Sequence, residues 1–211
     1  MEVAKFKLKE LRKQVLEICK MMYESKLVTG NSGNVSIRDA EKRCIAIKPS
    51  GVSYQKMKTE DIVIMDIEGN IIDGFRRPSS ELQMHLEIYK KRNDINGIVH
   101  THSMYTTAFA SVGKEILPIN ISASVIRDSI PVTRYETPGT EEVGKAVIEA
   151  IGDKNAVLLK NHGVVTIGYT LESAFNVALR VEELARINLL ALQIGKPICL
   201  TEEELSNIKE G

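Results

Sequence analysis

Two of the chain's four histidines stand one residue apart in the stretch GIVHTHS, at the end of an apolar segment. If this segment is a β-strand, side chains at positions i and i+2 point to the same face. His100 and His102 would then project together, with Thr101 turned to the other face. Neutral imidazoles suit Zn²⁺ and similar transition metals, and a catalytic site needs about three protein ligands. The spacing suggests a metal site, although two ordinary strand histidines would give the same pattern.

A third histidine lies in a turn between two apolar segments, AVLLK and VVTIG. His162 stands between Asn161 and Gly163, where a polar side chain is costly unless it has a partner. We expect Gly163 to permit the turn by adopting a positive φ angle. Three of the four histidines thus fall at predicted strand ends, which favours metal ligation over the ordinary alternative.

Glu81 is the fourth candidate ligand. It is predicted to lie in the first turn of a helix that follows Pro78, with Ser80 as N-cap and Gln83 completing a capping box. The helix dipole favours a carboxylate at this place, so an ordinary helix-start glutamate explains the residue equally well by itself. His85 lies four residues later on the same face and could support Glu81, but a buried structural histidine is the favoured interpretation.

Three turns rich in small residues could bind an anion, at residues 30–34, 48–51 and 78–80. Their N–H and O–H groups, at strand ends and at a helix N-terminus, can converge on one ligand. None matches the GxxxxGK[ST] or GxGxxG pattern, so neither ATP nor NAD is indicated. Each turn alone is usually just a turn, but beside a metal site they point to a small phosphorylated metabolite.

Hydrophobic periodicity divides the rest of the chain into helices and strands. Apolar residues from Leu8 to Met22 predict a first helix that ends near residues 29–30, and those at 171–192 predict a long helix ending at Gly195. Further helices are predicted from residue 80 and over 103–111. The predicted strands cover residues 34–38, 43–48, 61–66, the stretch before His102, 131–135, 156–160 and 164–168, with a turn at 68–70.

Several of these strands are joined by links too short for a parallel crossover. The sequence therefore predicts an α/β fold with a mixed, largely antiparallel sheet and helices packed on it. No internal repeat or low-complexity linker appears, so residues 1–211 are expected to form a single domain.

Composition and charge exclude several classes of function. Twenty-eight basic residues balance 28 acidic ones, so no overall field favours nucleic acid or a membrane surface as a partner. No apolar run approaches the roughly 20 residues of a membrane span, and the N-terminus does not resemble a signal peptide. Three widely separated cysteines, Cys19, Cys44 and Cys199, are typical of reduced thiols in a cytoplasmic protein.

Five motifs, GNVSIR, IKPSGVSY, RPSSE, IVHTHS and NHGVVTIG, occur together in the order and at about the spacing found in one family. The chain resembles the class II, zinc-dependent aldolases of the L-fuculose-1-phosphate aldolase group, over residues 8–200. These enzymes share a superfamily with L-ribulose-5-phosphate 4-epimerase and the adducin head domain. Five ordered motifs are far more specific than any single one.

The resemblance implies a role for each candidate residue. One Zn²⁺ per subunit would be held by His100, His102 and His162, with Glu81 as the catalytic acid/base that can also fill the fourth metal position. Substrate phosphate would be held by residues of the three small-residue turns: Gly33, Asn34, Ser50, Gly51, Ser79 and Ser80. The resemblance also implies a three-layer α/β/α fold and a homotetramer with active sites at subunit interfaces.

The implied reaction is cleavage of a ketose 1-phosphate to dihydroxyacetone phosphate and an aldehyde through a zinc-stabilised enediolate. On the aldehyde side the chain departs from the fuculose type: Asn120 and Ile121 lie where a tyrosine is expected, and Pro138 replaces an aromatic residue. A related substrate such as 5-deoxyribulose 1-phosphate or a methylthio analogue is therefore an alternative to L-fuculose 1-phosphate.

Two other classes of protein remain alternatives. An epimerase of the L-ribulose-5-phosphate type or a methylthioribulose-1-phosphate dehydratase could use the same zinc site, but the Pro-Ser-Ser-Glu sequence favours an aldolase. A non-enzymatic domain like the adducin head is disfavoured, because it would not need the complete set of three histidines and Glu81.

Overall fold

The computed structural model describes residues 2–41, 43–126 and 128–208. The helices within these ranges are α1 (Glu2–Glu24), α2 (Leu82–Lys91), α3 (Met104–Val112), α4 (Glu141–Ile151), α5 (Leu171–Ile194) and α6 (Glu202–Ser206). The strands are β1 (Asn34–Arg38), β2 (Ile45–Ile47), β3 (Val63–Met65), β4 (Ile71–Asp73), β5 (Gly97–Thr101), β6 (Ala156–Leu159) and β7 (Gly163–Gly168). Short 3₁₀ helices span Thr59–Asp61 and Ile121–Val125.

The seven strands form one sheet in the order β4-β3-β2-β1-β5-β7-β6, and every neighbouring pair is antiparallel. At the centre, Asn34 of β1 lies opposite His100 of β5, and His100 lies opposite Val165 of β7. Residues that face each other across paired strands share a face of the sheet. The register therefore brings candidate site residues together at one end of the central strands.

Helices cover both faces of the sheet. On one face, Val35 and Val99 pack in a core with α1 and α5, and α3 extends this layer against α5 and β7. On the other face, Ile98 and Val165 pack in a core with α2 and α4. His100 alternates with Val99 and so points toward α2 and α4. The predicted three-layer α/β/α architecture with a largely antiparallel sheet is confirmed.

Residues 131–135 were predicted to form a strand, and this prediction is wrong. Only Val132 makes a bridge, in parallel orientation, to Leu158 at the outer edge of β6. Pro131 accepts a hydrogen bond from Leu158 N, and Thr133 N donates one back to Leu158 O. Two hydrogen bonds attach the segment to the sheet edge, and Pro131 has no N–H with which to extend the ladder.

Other predicted elements are shorter in the structure. β2 and β3 occupy only the middle of their predicted ranges, because the chain before β3 forms the 3₁₀ turn Thr59–Asp61, where the Asp61 carboxylate accepts from Lys58 N. α1 ends at Glu24, before the predicted stop, where Lys26 adopts a φ of 59°. β4 and α4 were not predicted. Within the described ranges, each helix is too short or too polar to pass through a lipid bilayer.

The last residue of β1 is an arginine with a buried, positively charged side chain. Arg38 is 3% exposed, and its guanidinium donates to the main-chain carbonyls of Tyr89, Arg92 and Ile95. Two of these carbonyls belong to the C-terminal end of α2, where a positive charge is favoured by the helix dipole. Arg38 thus fixes one end of α2 against β1, while the other end of the helix carries Glu81.

We expect Arg38→Met to lower the free energy of unfolding by about 3 kcal/mol, because three carbonyls lose a charged donor in a buried place. Arg134→Met is the matched control. Arg134 pairs with Glu136 and Glu149 but its side chain is 45% exposed, so its loss should cost less than about 1 kcal/mol. Urea unfolding followed by circular dichroism measures both, and equal effects would contradict the role given to Arg38.

Candidate metal centre

The two histidines of the GIVHTHS motif meet at the end of β5. His100 is fully buried, and its Nδ1 lies 3.0 Å from Val164 O on β7. A carbonyl can only accept, so Nδ1 carries the proton and Nε2 is free to act as a ligand. His102 follows the last residue of the strand, and its Nε2 lies 2.9 Å from Nε2 of His100. The two side chains project together, as their spacing predicts.

His162 lies in the turn between β6 and β7, and its ring centroid is 4.8 Å from that of His100 and 4.7 Å from that of His102. The positive φ predicted for Gly163 is wrong, because Asn161 takes it instead, at 59°. Gly163 is needed for space: a Cβ there would lie 2.3 Å from Thr101 O and 3.0 Å from His102 Cδ2. The missing side chain lets β7 begin close against the end of β5.

Glu81 reaches the histidines from the N-terminus of α2. It is the N-cap residue and precedes the first turn, so the predicted capping box of Ser80 and Gln83 is wrong. The reason lies upstream: Ser79 N donates to Lys48 O, and Ser79 Oγ accepts from Glu81 N at 3.2 Å. These bonds fix the chain in a turn that delays the helix and directs Glu81 toward the sheet.

Four candidate ligand atoms converge at this point. Glu81 Oε2 lies 3.3 Å from His100 Nε2, and Glu81 Oε1 lies 3.3 Å from His162 Nε2. With His102, the ligand atoms all lie within 4.8 Å of one another. Glu81 Oε1 is buried and has no hydrogen-bond partner among the described residues. A buried polar atom without a partner, facing three imidazoles, fits a bound cation.

The electrostatics of the cluster favour an ionised Glu81 and neutral rings at His102 and His162. Burial opposes ionisation of Glu81, but the neighbouring His100, His162 and His85 outweigh it and lower its pKa below the usual range. Burial, with His100 and His162, lowers the pKa of His102 to about 3. Burial and His100 lower the pKa of His162 to about 4. Burial opposes protonation of His100, but Glu81 and the Val164 carbonyl outweigh it and raise the pKa of this ring. One carboxylate with three imidazoles is a donor set typical of Zn²⁺.

A pocket of about 300 Å³ opens beside the cluster. Its lining includes the six residues that the resemblance assigned to the substrate phosphate: Gly33, Asn34, Ser50, Gly51, Ser79 and Ser80. Gly33 and Gly51 both have a φ of 72°, a conformation that side chains rarely tolerate. Glu81, His102 and His162 also line the pocket, so the candidate metal and anion sites share one cavity.

The pocket also contains Lys48, which belongs to one of the three turns predicted to bind an anion but was given no role of its own. Lys48 is 2% exposed, and its Nζ lies 3.3 Å from Asn31 O and 4.7 Å from the centroid of the Tyr54 ring. Burial lowers the pKa of Lys48. Its position inside the IKPSGVSY motif was the available signal. Pro138 and Gly139 border the cavity from the segment that precedes α4, and the family resemblance had implied a place for Pro138 on the aldehyde side of the substrate.

The fold and the site together define a protein of the class II aldolase type, with a carboxylate and three imidazoles that could hold a metal ion. The family model for the "Class II Aldolase and Adducin N-terminal domain" matches residues 13–189. The chain therefore belongs to this family, and the resemblance seen in the five motifs is confirmed.

Individual relatives agree with the family. The chain is 40% identical over 201 residues to a 5-deoxy-D-ribulose 1-phosphate aldolase of Bacillus thuringiensis serovar kurstaki, covering 95% of this chain and 94% of the relative. It is 41% identical over 175 residues to an L-fuculose phosphate aldolase of Methanococcus maripaludis, covering 83% and 94%. A solved L-fuculose 1-phosphate aldolase superposes with a TM-score of 0.89 at 37% identity, covering 93% and 92%. The chain is a class II aldolase and hence a lyase.

We expect Gly163→Ala to lower the free energy of unfolding by about 2 kcal/mol, because the added Cβ would meet main-chain atoms of β5. It should also weaken binding of Zn²⁺, since His102 lies against the same Cβ. Gly195→Ala is the control: its backbone is extended, with a φ of 174°, and the added Cβ meets nothing within 4 Å. Urea unfolding of metal-free protein and chelator competition measure the two effects. Unchanged zinc affinity in Gly163→Ala would contradict the close packing inferred here.

Proposed function

We propose that this chain cleaves a ketose 1-phosphate into dihydroxyacetone phosphate and an aldehyde, with 5-deoxyribulose 1-phosphate or L-fuculose 1-phosphate as substrate. The observation that carries the proposal is the cavity in which a carboxylate and imidazoles lie beside three turns rich in small donors. The 5-deoxypentulose phosphate is favoured because a relative named for it matches over 95% of the chain. Of the departures from the fuculose type, Pro138 borders this cavity, whereas Asn120 and Ile121 line a different one.

The phosphate group of the substrate would bind to the turns that line the cavity. Gly33, Asn34, Ser50, Gly51, Ser79 and Ser80 are the residues that we propose for it. Main-chain N–H groups and hydroxyls can surround a phosphate without large side chains, and turned backbone at Gly33 and Gly51 exposes such groups. Binding the phosphate there would hold the carbonyl end of the ketose next to Glu81.

The metal ion would be held by Glu81, His100, His102 and His162, and we propose that it is Zn²⁺. When bound, the ion supplies Lewis-acid polarisation of the substrate carbonyl and stabilises negative charge as the carbon–carbon bond breaks. The three histidines would contribute nitrogen donors to the ion.

Glu81 would move the proton in the reaction. Glu81 lines the cavity, and its Oε1 is buried without a hydrogen-bond partner among the described residues. A carboxylate at this place can accept a proton from, or return it to, the carbon of the dihydroxyacetone phosphate half once that carbon lies within hydrogen-bond reach.

We further propose a homotetramer in the cytoplasm. The tetramer is supported by the family, and a mass of four chains by light scattering tests it. The cytoplasm is supported by the cysteines, since Cys19, Cys44 and Cys199 are all unpaired. Unpaired thiols are typical of a reducing compartment.

The central test is a cleavage assay with zinc-loaded and chelator-treated protein. Each ketose 1-phosphate is supplied, and release of dihydroxyacetone phosphate is followed by a coupled reductase. We expect product from the zinc-loaded protein, at least tenfold less after chelation, and faster cleavage of 5-deoxyribulose 1-phosphate. Absence of dihydroxyacetone phosphate from either substrate, with zinc bound, would overturn the aldolase proposal and favour epimerisation or dehydration at the same site.

Two variants separate metal binding from proton transfer. His102→Ala should lose retained zinc and activity together, because one of three neutral nitrogen donors is gone. Glu81→Gln should retain zinc through the histidines but lower kcat by about a hundredfold or more, since an amide cannot accept the proton. Glu68→Gln, in an exposed turn, is the control for removing a carboxylate. Zinc content by mass spectrometry and kcat are measured, and full activity in Glu81→Gln would remove its proposed role.

A further inference from the structure

A buried chain of hydrogen bonds leads from the core to Glu81. Glu81 Oε2 accepts from Asn34 Nδ2 at 2.7 Å, and Asn34 Oδ1 is hydrogen-bonded to His85 Nε2. On the far side of the imidazole, His85 Nδ1 lies 2.7 Å from Ser36 Oγ, which in turn lies 2.9 Å from the Tyr89 hydroxyl. His85 and Ser36 are fully buried, and neither lines the pocket.

The donors and acceptors between Glu81 and Ser36 follow from the carboxylate of Glu81. An ionised carboxylate can only accept, so Asn34 must turn its NH₂ group toward Glu81 and its oxygen toward His85. His85 must then donate from Nε2. Burial and His100 lower the pKa of His85 to about 3, against the opposing effect of Glu81, so the ring is neutral and Nδ1 accepts from Ser36.

The chain makes the two oxygens of Glu81 different. Oε2 is held by Asn34, whereas Oε1 has no hydrogen-bond partner among the described residues and faces His162. If the Asn34 amide turned over, its oxygen would face Oε2 and repel it. His85 prevents this because its Nε2–H needs an acceptor, and the Asn34 oxygen is the acceptor it has.

We propose that His85 is a positioning residue that acts through Asn34, holding the amide so that Oε2 of Glu81 is tethered and Oε1 is left for the ion and the proton. This rests on the proposed function, since it assigns a task to the same carboxylate. The ring does not line the pocket and has no hydrogen bond to a candidate ligand, and the hydrogen bonds that link it to Glu81 run through the Asn34 amide. Partners that orient a ligand in this way typically change metal affinity or activity about 10- to 100-fold.

The test compares two amide substitutions of similar size and polarity. His85→Gln places an NH₂ group at about the reach of Nε2 and can still donate to Asn34. His85→Asn ends near the position of Nδ1 and cannot. We expect His85→Asn to lower kcat at least tenfold, with KM changed less than threefold. His85→Gln should keep kcat within about threefold of the value for the unsubstituted protein.

A second measurement requires no substrate. Metal-free protein is titrated with Co²⁺, and its visible absorption band reports the ligand set. His85→Asn should shift the band and weaken Co²⁺ binding about tenfold, whereas His85→Gln should keep both. If the original chain shows no aldolase activity, the proposed function fails, but the cobalt spectra still test the positioning role.

The result that overturns the proposal is equal behaviour of the two variants, with kcat and the cobalt spectrum affected alike or not at all. A purely structural role predicts this, because both substitutions replace the buried ring by a smaller side chain and leave a cavity in the same part of the core. If His85→Asn does not fold, Ser36→Ala decides, since it removes the donor to Nδ1 with the loss of one atom. Like His85→Asn, it should shift the cobalt band and weaken Co²⁺ binding, and an unchanged band and kcat would overturn the proposal.

Discussion

Glu81 is a buried carboxylate at the start of α2, and the arrangement around it depends on balancing its charge. An ionised carboxylate moved out of water is costly unless it has partners of opposite charge or hydrogen-bond donors. Here it has Asn34 as a donor on one oxygen and the imidazoles of His100 and His162 nearby. These partners leave Oε1 without a donor among the described residues, and a divalent cation would supply the missing charge.

The central strands meet this requirement through their register. Asn34 and His100 are paired across β1 and β5, so their side chains emerge side by side toward α2. The turn before β7 then brings His162 to the same end of the sheet. Paired strands with a fixed register hold Asn34 and His100 more rigidly than loops could. A site for a small ion and a small substrate needs such rigidity.

The same helix is held at both ends by polar groups from the sheet. Arg38 closes the C-terminal end of α2 by donating to its carbonyls, and Ser79 fixes the turn before its N-terminus. Between them, His85 and Tyr89 face Ser36 on β1. Polar contacts of this kind contribute less to stability than the apolar cores do, but they specify one rotation and one translation of the helix. Because these contacts fix the helix, they also fix the position of Glu81 at its N-terminus.

The sequence by itself determined the features that depend on local periodicity. The alternation of side chains along a strand placed His100 and His102 together, and long apolar patterns predicted α5 and the central strands. The motifs with their order were specific enough to identify the family and the aldolase class. The small-residue turns were recognised as possible anion sites, and their residues do line one cavity. Their binding roles stay predictions.

Only the tertiary structure decided what depends on contacts distant in the chain. The predicted cap at Ser80 failed because hydrogen bonds between residues 48–50 and 77–79 override the local preference for a helix start. Gly163 is required by the approach of β5, which no pattern around the turn reveals. The bond from Asn34 to Glu81 and the buried chain behind it join residues that lie almost fifty positions apart. Local sequence sets the conformation of each segment, but which polar groups must satisfy one another is fixed only when the segments pack.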